Sequence, residues 1–335
     1  MAGVSVMSVS RVCDPNYGGQ ISPEMRSKVA NAIETLGYRP DYVARSLRRG
    51  RTDTIGFYYG YRGLMPFSDD FTRRVFIGLQ DELTNLNQDL LIYNVPESPR
   101  LHEEIVRDVT MSKVDGVVFL PEEGDEEIAR LFSESYQNFV TIVETMPGIP
   151  SITAQDADGS IRLAQHLYER GHRHVMYRTS RLRLTSARRR FDAFSSTARE
   201  LGMQITPTTT NLLKDDLSDA EVETIREART LGITAIVAWH DLSALKAAIY
   251  CRSIGIDIPG DMAVAGFDRL SHTINPKGLE LTTIVADWQE IARRGVDYIV
   301  KGKDMVRLED GDLVRDNNGV PHIQVHSPLF LGNTT

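Results

Sequence analysis

Cysteine is scarce: Cys13 and Cys251 are the only two in 335 residues. They stand far apart and neither belongs to a CxxC pair, which excludes a disulfide framework and reads as free thiols in a reducing compartment. Long apolar runs are also missing, since no stretch reaches the roughly 18 residues that a membrane helix needs. The opening Met1-Ala2-Gly3-Val4-Ser5-Val6 has no basic residue before its short apolar stretch, so a secretory signal is not expected. Catalytic signatures are lacking as well. There is no G-x-S-x-G elbow and no phosphate loop, and His102-Glu103-Glu104-Ile105-Val106 lacks the second histidine of a zinc-protease helix. His172 and His174 have no cysteine pair beside them to complete a zinc site. The chain is therefore expected to be cytoplasmic, with no enzymatic role, cofactor, metal or membrane partner.

What is present is an ordinary globular composition, 41% hydrophobic and 25% charged, long enough for two or three domains. The net charge of -8 is unevenly spread. Residues 1–51 carry eight basic against four acidic side chains, +4, which leaves -12 for the rest. A small basic head on an acidic body is the pattern of a chain whose head alone meets a polyanion, and +4 fits a solvated basic surface equally well.

Past residue 53, short apolar runs at 54–58, 89–93, 115–120 and 139–143 read as buried strands, with helical stretches such as 71–86 and 101–111 between them. The pattern repeats at 174–177, 235–238 and 262–265. Strands alternating with helices predict an α/β fold of two doubly wound, parallel-sheet subdomains with a ligand cleft between them. The expected core spans 53–331, its N-subdomain about 53–153 plus 284–302 and its C-subdomain about 154–283 plus 303–331.

Residues 1–51 contain no strand run. Ser22 and Pro23 open a helix as N-cap and first-turn proline, Met25, Val29, Ile33 and Leu36 repeat at helical spacing, and Gly37 ends it. Ser5 caps a shorter helix over residues 6–13. At 100° per residue, Val9 and Val12 share one side of it while Val6, Met7, Ser10 and Arg11 face the other.

The segments Ala2-Gly3-Val4-Ser5-Val6-Met7-Ser8-Val9-Ser10-Arg11-Val12, Ile21-Ser22-Pro23-Glu24-Met25-Arg26, Leu36-Gly37-Tyr38-Arg39-Pro40 and Ala44-Arg45-Ser46-Leu47 resemble the head of the lactose/galactose repressor (LacI/GalR) family of bacterial transcription regulators. Asp158-Gly159, Gly171-His172-Arg173, Ala263-Val264-Ala265-Gly266-Phe267-Asp268 and Leu281-Thr282-Thr283-Ile284 carry the resemblance through the body. It implies a small all-α helix-turn-helix head over 1–39, a hinge helix and linker over 40–52, and a core like a periplasmic sugar-binding protein. It implies a dimer or higher homo-oligomer on operator DNA, and a repressor controlled by a sugar, sugar acid or sugar phosphate. A cytoplasmic sugar sensor without DNA binding is the alternative. The family places a first helix ahead of the Ala-Gly-Val-Ser turn, so a head begun at Met1 is expected to bind operator poorly.

The resemblance puts Val6, Met7 and Arg11 in the major groove, where Arg11 suits guanine O6 and N7, and sets Ser8 and Ser10 near phosphates. Leu47 takes the place of a minor-groove wedge, flanked by Arg45 and Arg48. In the cleft it assigns Arg190, Asp241 and Asp158 to polar contacts and Phe71 and Trp288 to aromatic walls. Arg190 with Asp241 also fits a structural ion pair, and the two aromatics fit core packing. Arg178, Arg181, Arg183, Arg188, Arg189 and Arg190 crowd one segment, which fits an anionic effector but fits better a surface cluster paired with the acidic body.

Overall fold

The computed structural model describes residues 3–12, 21–38, 46, 49–60, 69–94, 106–107, 111, 113–135, 138–180, 184–210, 216–270, 276, 278–302 and 311–335. The chain divides into two compact units, Met1–Asp53 and Thr54–Thr335.

In the first unit, helix α1 (Val6–Val12) and helix α2 (Pro23–Leu36) form where the sequence places their caps. Ser5 Oγ accepts from the Ser8 N–H at 3.1 Å, and Ser22 Oγ accepts from the Met25 N–H at 3.3 Å. These hydroxyls satisfy backbone donors that a helix start otherwise leaves open. Gly37 ends α2 at φ 58°, a left-handed conformation that costs glycine little. The two helices pack together, and Val29, 1% exposed, is the buried residue of α2.

The second unit holds two sheets. The first half of its chain runs β1 (Thr54–Tyr59), α3 (Asp70–Asn85), β2 (Asp89–Asn94), β3 (Gly116–Leu120), α4 (Glu126–Ser135), β4 (Phe139–Ile142) and β5 (Ser151–Ala154). The second runs α5 (Asp156–Glu169), β6 (His174–Thr179), α6 (Thr185–Glu200), β7 (Gln204–Thr209), α7 (Asp219–Arg226), α8 (Ala228–Leu231), β8 (Ala235–Ala238), α9 (Asp241–Ser253), β9 (Ala263–Asp268) and β10 (Thr282–Val285). The chain then returns through α10 (Trp288–Lys301), β11 (Gly311–Arg315), β12 (Pro321–Val325) and β13 (Leu329–Phe330).

Strand order is β11-β12-β5-β4-β3-β1-β2 in one sheet and β13-β10-β9-β8-β6-β7 in the other. Every neighbouring pair is parallel except the edge pairs β11–β12 and β10–β13. The central strands are buried throughout and mostly apolar because helices cover both faces, as the uninterrupted burial of β3, β4, β8 and β9 shows.

Two boundaries differ from the sequence reading. Residues 303–331 were expected with the second lobe, yet β11 and β12 complete the first sheet. Strand β12 pairs in parallel with β5, Ile323 opposite Ile152, and buries Ile323 and Val325 there. Strand β10 lies wholly in the second sheet, so the boundary falls after Val285. The chain therefore crosses between lobes three times, at Gln155, at Ala286-Asp287 and at His326-Ser327-Pro328. The first and third crossings lie side by side, since the Gln155 N–H donates to Val325 O at 2.9 Å and to Ser327 Oγ at 3.1 Å.

Cys251 is a buried free thiol, pushed up to about 12 by burial and so inert as a nucleophile. Among the described residues no helix is long and apolar enough to cross a membrane.

Candidate functional site

Parallel strands deliver loops at their carboxyl ends, and in this core those loops bring the two lobes together. From the first lobe comes the loop 143–145 after β4. From the second come the first turn of α6 and the loops after β8 and β9, and the crossing at Gln155 leads into the first turn of α5.

Arg190, on α6, is 2% exposed. Its Nε donates to Asp156 Oδ1 at 2.8 Å, its Nη1 donates to Trp239 O at 2.7 Å and lies 3.3 Å from Asp268 Oδ1. The guanidinium stacks on the Phe267 ring at 3.6 Å. Arg189 donates twice to Asp156 Oδ2, at 3.0 and 2.6 Å, and reaches into the first lobe to Val143 O and Thr145 Oγ1. Asp156 thus anchors both arginines from the start of α5.

Glu144 closes the seam from the other side. Leu184 gives α6 no side-chain cap. The Glu144 carboxylate supplies one from the opposite lobe, with Oε2 accepting from the Thr185 hydroxyl at 2.6 Å and the Ser186 N–H at 2.9 Å. Its Oε1 accepts from the Ser186 hydroxyl, and the Thr145 N–H donates to Thr185 Oγ1 at 2.9 Å. A carboxylate at a helix N-terminus is favoured by both the open N–H groups and the helix dipole.

Strain gathers here. Val143 at φ 71°, Asp268 at φ 108° and Arg269 at φ 52° are all non-glycine residues with positive φ. Burial raises the Asp268 carboxyl to about 6 although the adjacent Arg190 pulls it down. His240 caps α9, its Nδ1 accepting from the Leu242 N–H at 3.2 Å, which leaves Nε2 as the protonated nitrogen of the neutral ring.

The expected site residues sort as follows. Arg190 sits at the centre of the cluster. Asp241 is buried and pinned within its own lobe: Oδ1 accepts from the Thr283 hydroxyl at 2.6 Å and Oδ2 from the Leu270 N–H at 3.1 Å. It presses on Gly266, where a Cβ would fall 2.3 Å from its Oδ1. Burial first, then the nearby Asp268, hold this carboxyl well above the usual carboxylate range. It locks the loop after β9, and the carboxylates that meet Arg190 are Asp156 and Asp268. Asp158 pairs with Arg162 at 2.6 Å on the half-exposed face of α5, away from the cluster. Phe71 and Trp288 stand edge to face at 5.0 Å, at the starts of α3 and α10. The buried Trp288 and Trp239 indole N–H groups find no acceptor among the described residues.

The arginine segment is not a surface cluster. Arg178 is wholly buried against Glu221, Arg189 and Arg190 face Asp156, and of those described only Arg188 is solvated, beside Asp192. Two arginines flanked by Asp156, Asp268 and Glu144 leave no surplus positive charge. Arg181 and Arg183 lie outside the described residues.

In the head, Met7 (64% exposed) and Arg11 are solvent-exposed on α1, and Ser8 hydrogen-bonds Ser5. Val6 and Ser10 lie on α1 with side chains outside the described residues, as are Arg45, Leu47 and Arg48 entirely. Sequence reasoning passed over Asp156, Glu144 and His240 as site residues; Arg189 entered only as one of the arginine segment, and Asp268 only as the last residue of the Ala263-to-Asp268 motif.

Comparison with known proteins agrees with this architecture. The family described as "Bacterial regulatory proteins, lacI family" matches residues 1–41, and "Periplasmic binding protein-like domain" matches residues 164–311. Catabolite control protein A of Priestia megaterium is 25% identical over 90% of this chain and 89% of its own length. The HTH-type transcriptional regulator GalR of Escherichia coli is 27% identical over 85% of this chain and 81% of its own. The solved Lac repressor dimer bound to operator and the anti-inducer ONPF shares the fold with TM-score 0.76 at 21% identity, covering 100% of this chain and 96% of that one. A CelR–cellobiose complex has TM-score 0.67 at 21% identity, over 100% and 97%. With the head matched at one end, the binding-protein fold at the other and regulators aligned along most of its length, this chain belongs to the lacI family of bacterial regulatory proteins.

Proposed function

We propose that the protein is a transcriptional repressor whose affinity for operator DNA is set by a neutral, polyhydroxylated effector bound between the lobes. The observation that carries this is Arg190, buried at the seam and shared between Asp156 and Asp268. An ionised carboxylate offers about four acceptor positions. With the arginine charges already matched, the site suits hydroxyl donors better than a phosphate or a second carboxylate. Phe71, half-buried and backed by the core residue Trp288, supplies an apolar face of the kind a sugar ring covers, and two buried indole N–H groups can donate to ring hydroxyls. The cellobiose complex of a structural neighbour is consistent with such a ligand.

The Glu144 cap links ligand to response. It spans the two lobes, so an effector that draws them together or apart strengthens or releases that contact. On the DNA side, Val6, Met7 and Arg11 read the major groove, Ser8 and Ser10 contact backbone, and Leu47 wedges the minor groove beside Arg45 and Arg48. A homodimer presents two such heads to paired half-sites, in the cytoplasm.

The test is a fluorescence-anisotropy titration of promoter fragments at one salt concentration, with neutral sugars, sugar acids and sugar phosphates added in turn. Thermal shifts identify the binder, since a ligand at 100 times its Kd adds about 2.7 kcal/mol. The expected result is that a neutral sugar raises Tm and changes operator affinity. Stabilisation by a sugar phosphate alone overturns the effector class, and no sequence-specific DNA binding in any condition overturns the role.

A further inference from the structure

We propose a second small-molecule site, separate from the interlobe cleft, in the groove between α6 and edge strand β7, that takes a small apolar monocarboxylate. The groove has a volume of about 180 Å³ and is lined by Phe191, Ser195, Arg199, Met203, Ile205 and Pro207. The first three follow at i, i+4 and i+8, one stripe of α6 distinct from the Arg190 stripe that faces the cleft. Two features point to a ligand. Ser195 Oγ is buried, on a residue 5% exposed, and has no hydrogen-bond partner among the described residues. A buried hydroxyl normally has one. One turn on, the Arg199 guanidinium is exposed and makes no ion pair or hydrogen bond among the described residues.

A fork of N–H donors and a hydroxyl donor one turn apart match a single planar carboxylate. The remaining walls are an aromatic face, a thioether and two apolar strand residues, which suit an apolar body. An apolar cavity of about 150 Å³ holds a benzene ring, so the groove fits a benzoate-sized acid. A protein strand is the poorer occupant, because Pro207 removes an N–H from the edge that such a strand would pair with.

The probe is benzoate, titrated into the full chain by calorimetry and by NMR of the Met203 methyl group, with benzyl alcohol as its uncharged counterpart. Benzoate is expected to bind saturably, to shift the Met203 methyl, and to be preferred to benzyl alcohol by about tenfold or more, the effect of one charge-assisted contact. Arg199→Gln is expected to erase that preference, and Ser195→Leu to block both ligands by filling the groove. Ile205→Trp fills it from the strand side should Ser195→Leu fail to fold. Arg190→Gln, in the cleft, is expected to leave benzoate binding unchanged. Absence of saturable binding, equal affinity for the alcohol, survival of binding in both filled variants, or its loss in Arg190→Gln would each overturn the proposal.

Discussion

Two buried arginines of the second lobe, twelve positions apart, have opposite surroundings. Arg178 meets Glu221 through Nε at 2.7 Å and Nη2 at 3.2 Å and gives Nη1 to Ser243 O. Glu221 in turn closes the capping box of α7 with Ser218 and accepts from Thr208. All these partners belong to the second lobe. Arg190 has two carboxylates, one of them raised toward neutrality, backbone strain beside it, and a neighbour in Arg189 that reaches into the other lobe. The first arrangement has one stable state. The second depends on where the lobes stand, as the effector site proposed above would require.

The sharpest way to break this comparison is Arg178→Met. Leaving Glu221 buried without its partner is expected to cost about 3–5 kcal/mol in urea unfolding, whereas Arg178→Met with Glu221→Leu recovers most of it. Normal stability with lost effector response in the single variant would reverse the two roles. Arg190→Gln comes next. Its expected mark is on binding, a loss of roughly tenfold to a hundredfold in effector affinity by calorimetry. Stability suffers less than for Arg178→Met, because Asp156 keeps Arg189 and Asp268 takes up a proton. Equal destabilisation by the two variants would erase the distinction.

Acidity sharpens the comparison further. Asp268 is raised from an ordinary carboxylate to about 6, so it binds a proton more tightly when folded than when unfolded. Its contribution to stability is therefore complete below about pH 4 and is lost as pH rises through 6. Hydroxyls donated by an effector favour the ionised form, so effector affinity is expected to increase from pH 5 to 7. Asp268→Asn should flatten that profile, and an unchanged slope in the variant would assign the proton elsewhere. The smallest effect is expected from Glu144→Gln, about 1 kcal/mol of lost cap and dipole stabilisation. It should appear mainly as a shifted effector midpoint for DNA release, and a midpoint equal to wild type would make the cap purely structural.

The strands buried on both faces were legible, because β1, β3, β4, β8 and β9 are short apolar runs that few other structures produce. Strands β7 and β11, at sheet edges, and β12 beside β11 were not. Half-exposed strands at or next to an edge carry alternating polar residues such as Thr206, Thr208 and Gln324, and their pairing is settled by distant neighbours rather than by local pattern. The site was legible as a place and only partly as a residue list. Asp156 and Asp158 are two positions apart on one helix, about 200° around it, so one anchors both arginines while the other meets solvent. The composition of Asp156-Ala157-Asp158 does not say which. Asp241 and Asp268 differ likewise by what loop geometry places above each carboxylate, a property that forms only after the sheet has assembled.

The three crossings between lobes contain one, two and three residues. A residue spans at most about 3.6 Å, so none of these connections can lengthen appreciably. Side by side and short, they forbid the lobes to slide or separate and leave rotation about the crossings as the cheap degree of freedom. A ligand weighing a few hundred daltons can therefore deliver its free energy as torque, with little lost to looser motions. Distance from the crossings then acts as a lever arm, and a fraction of an ångström at the Glu144 seam becomes a larger arc at the far ends of the lobes.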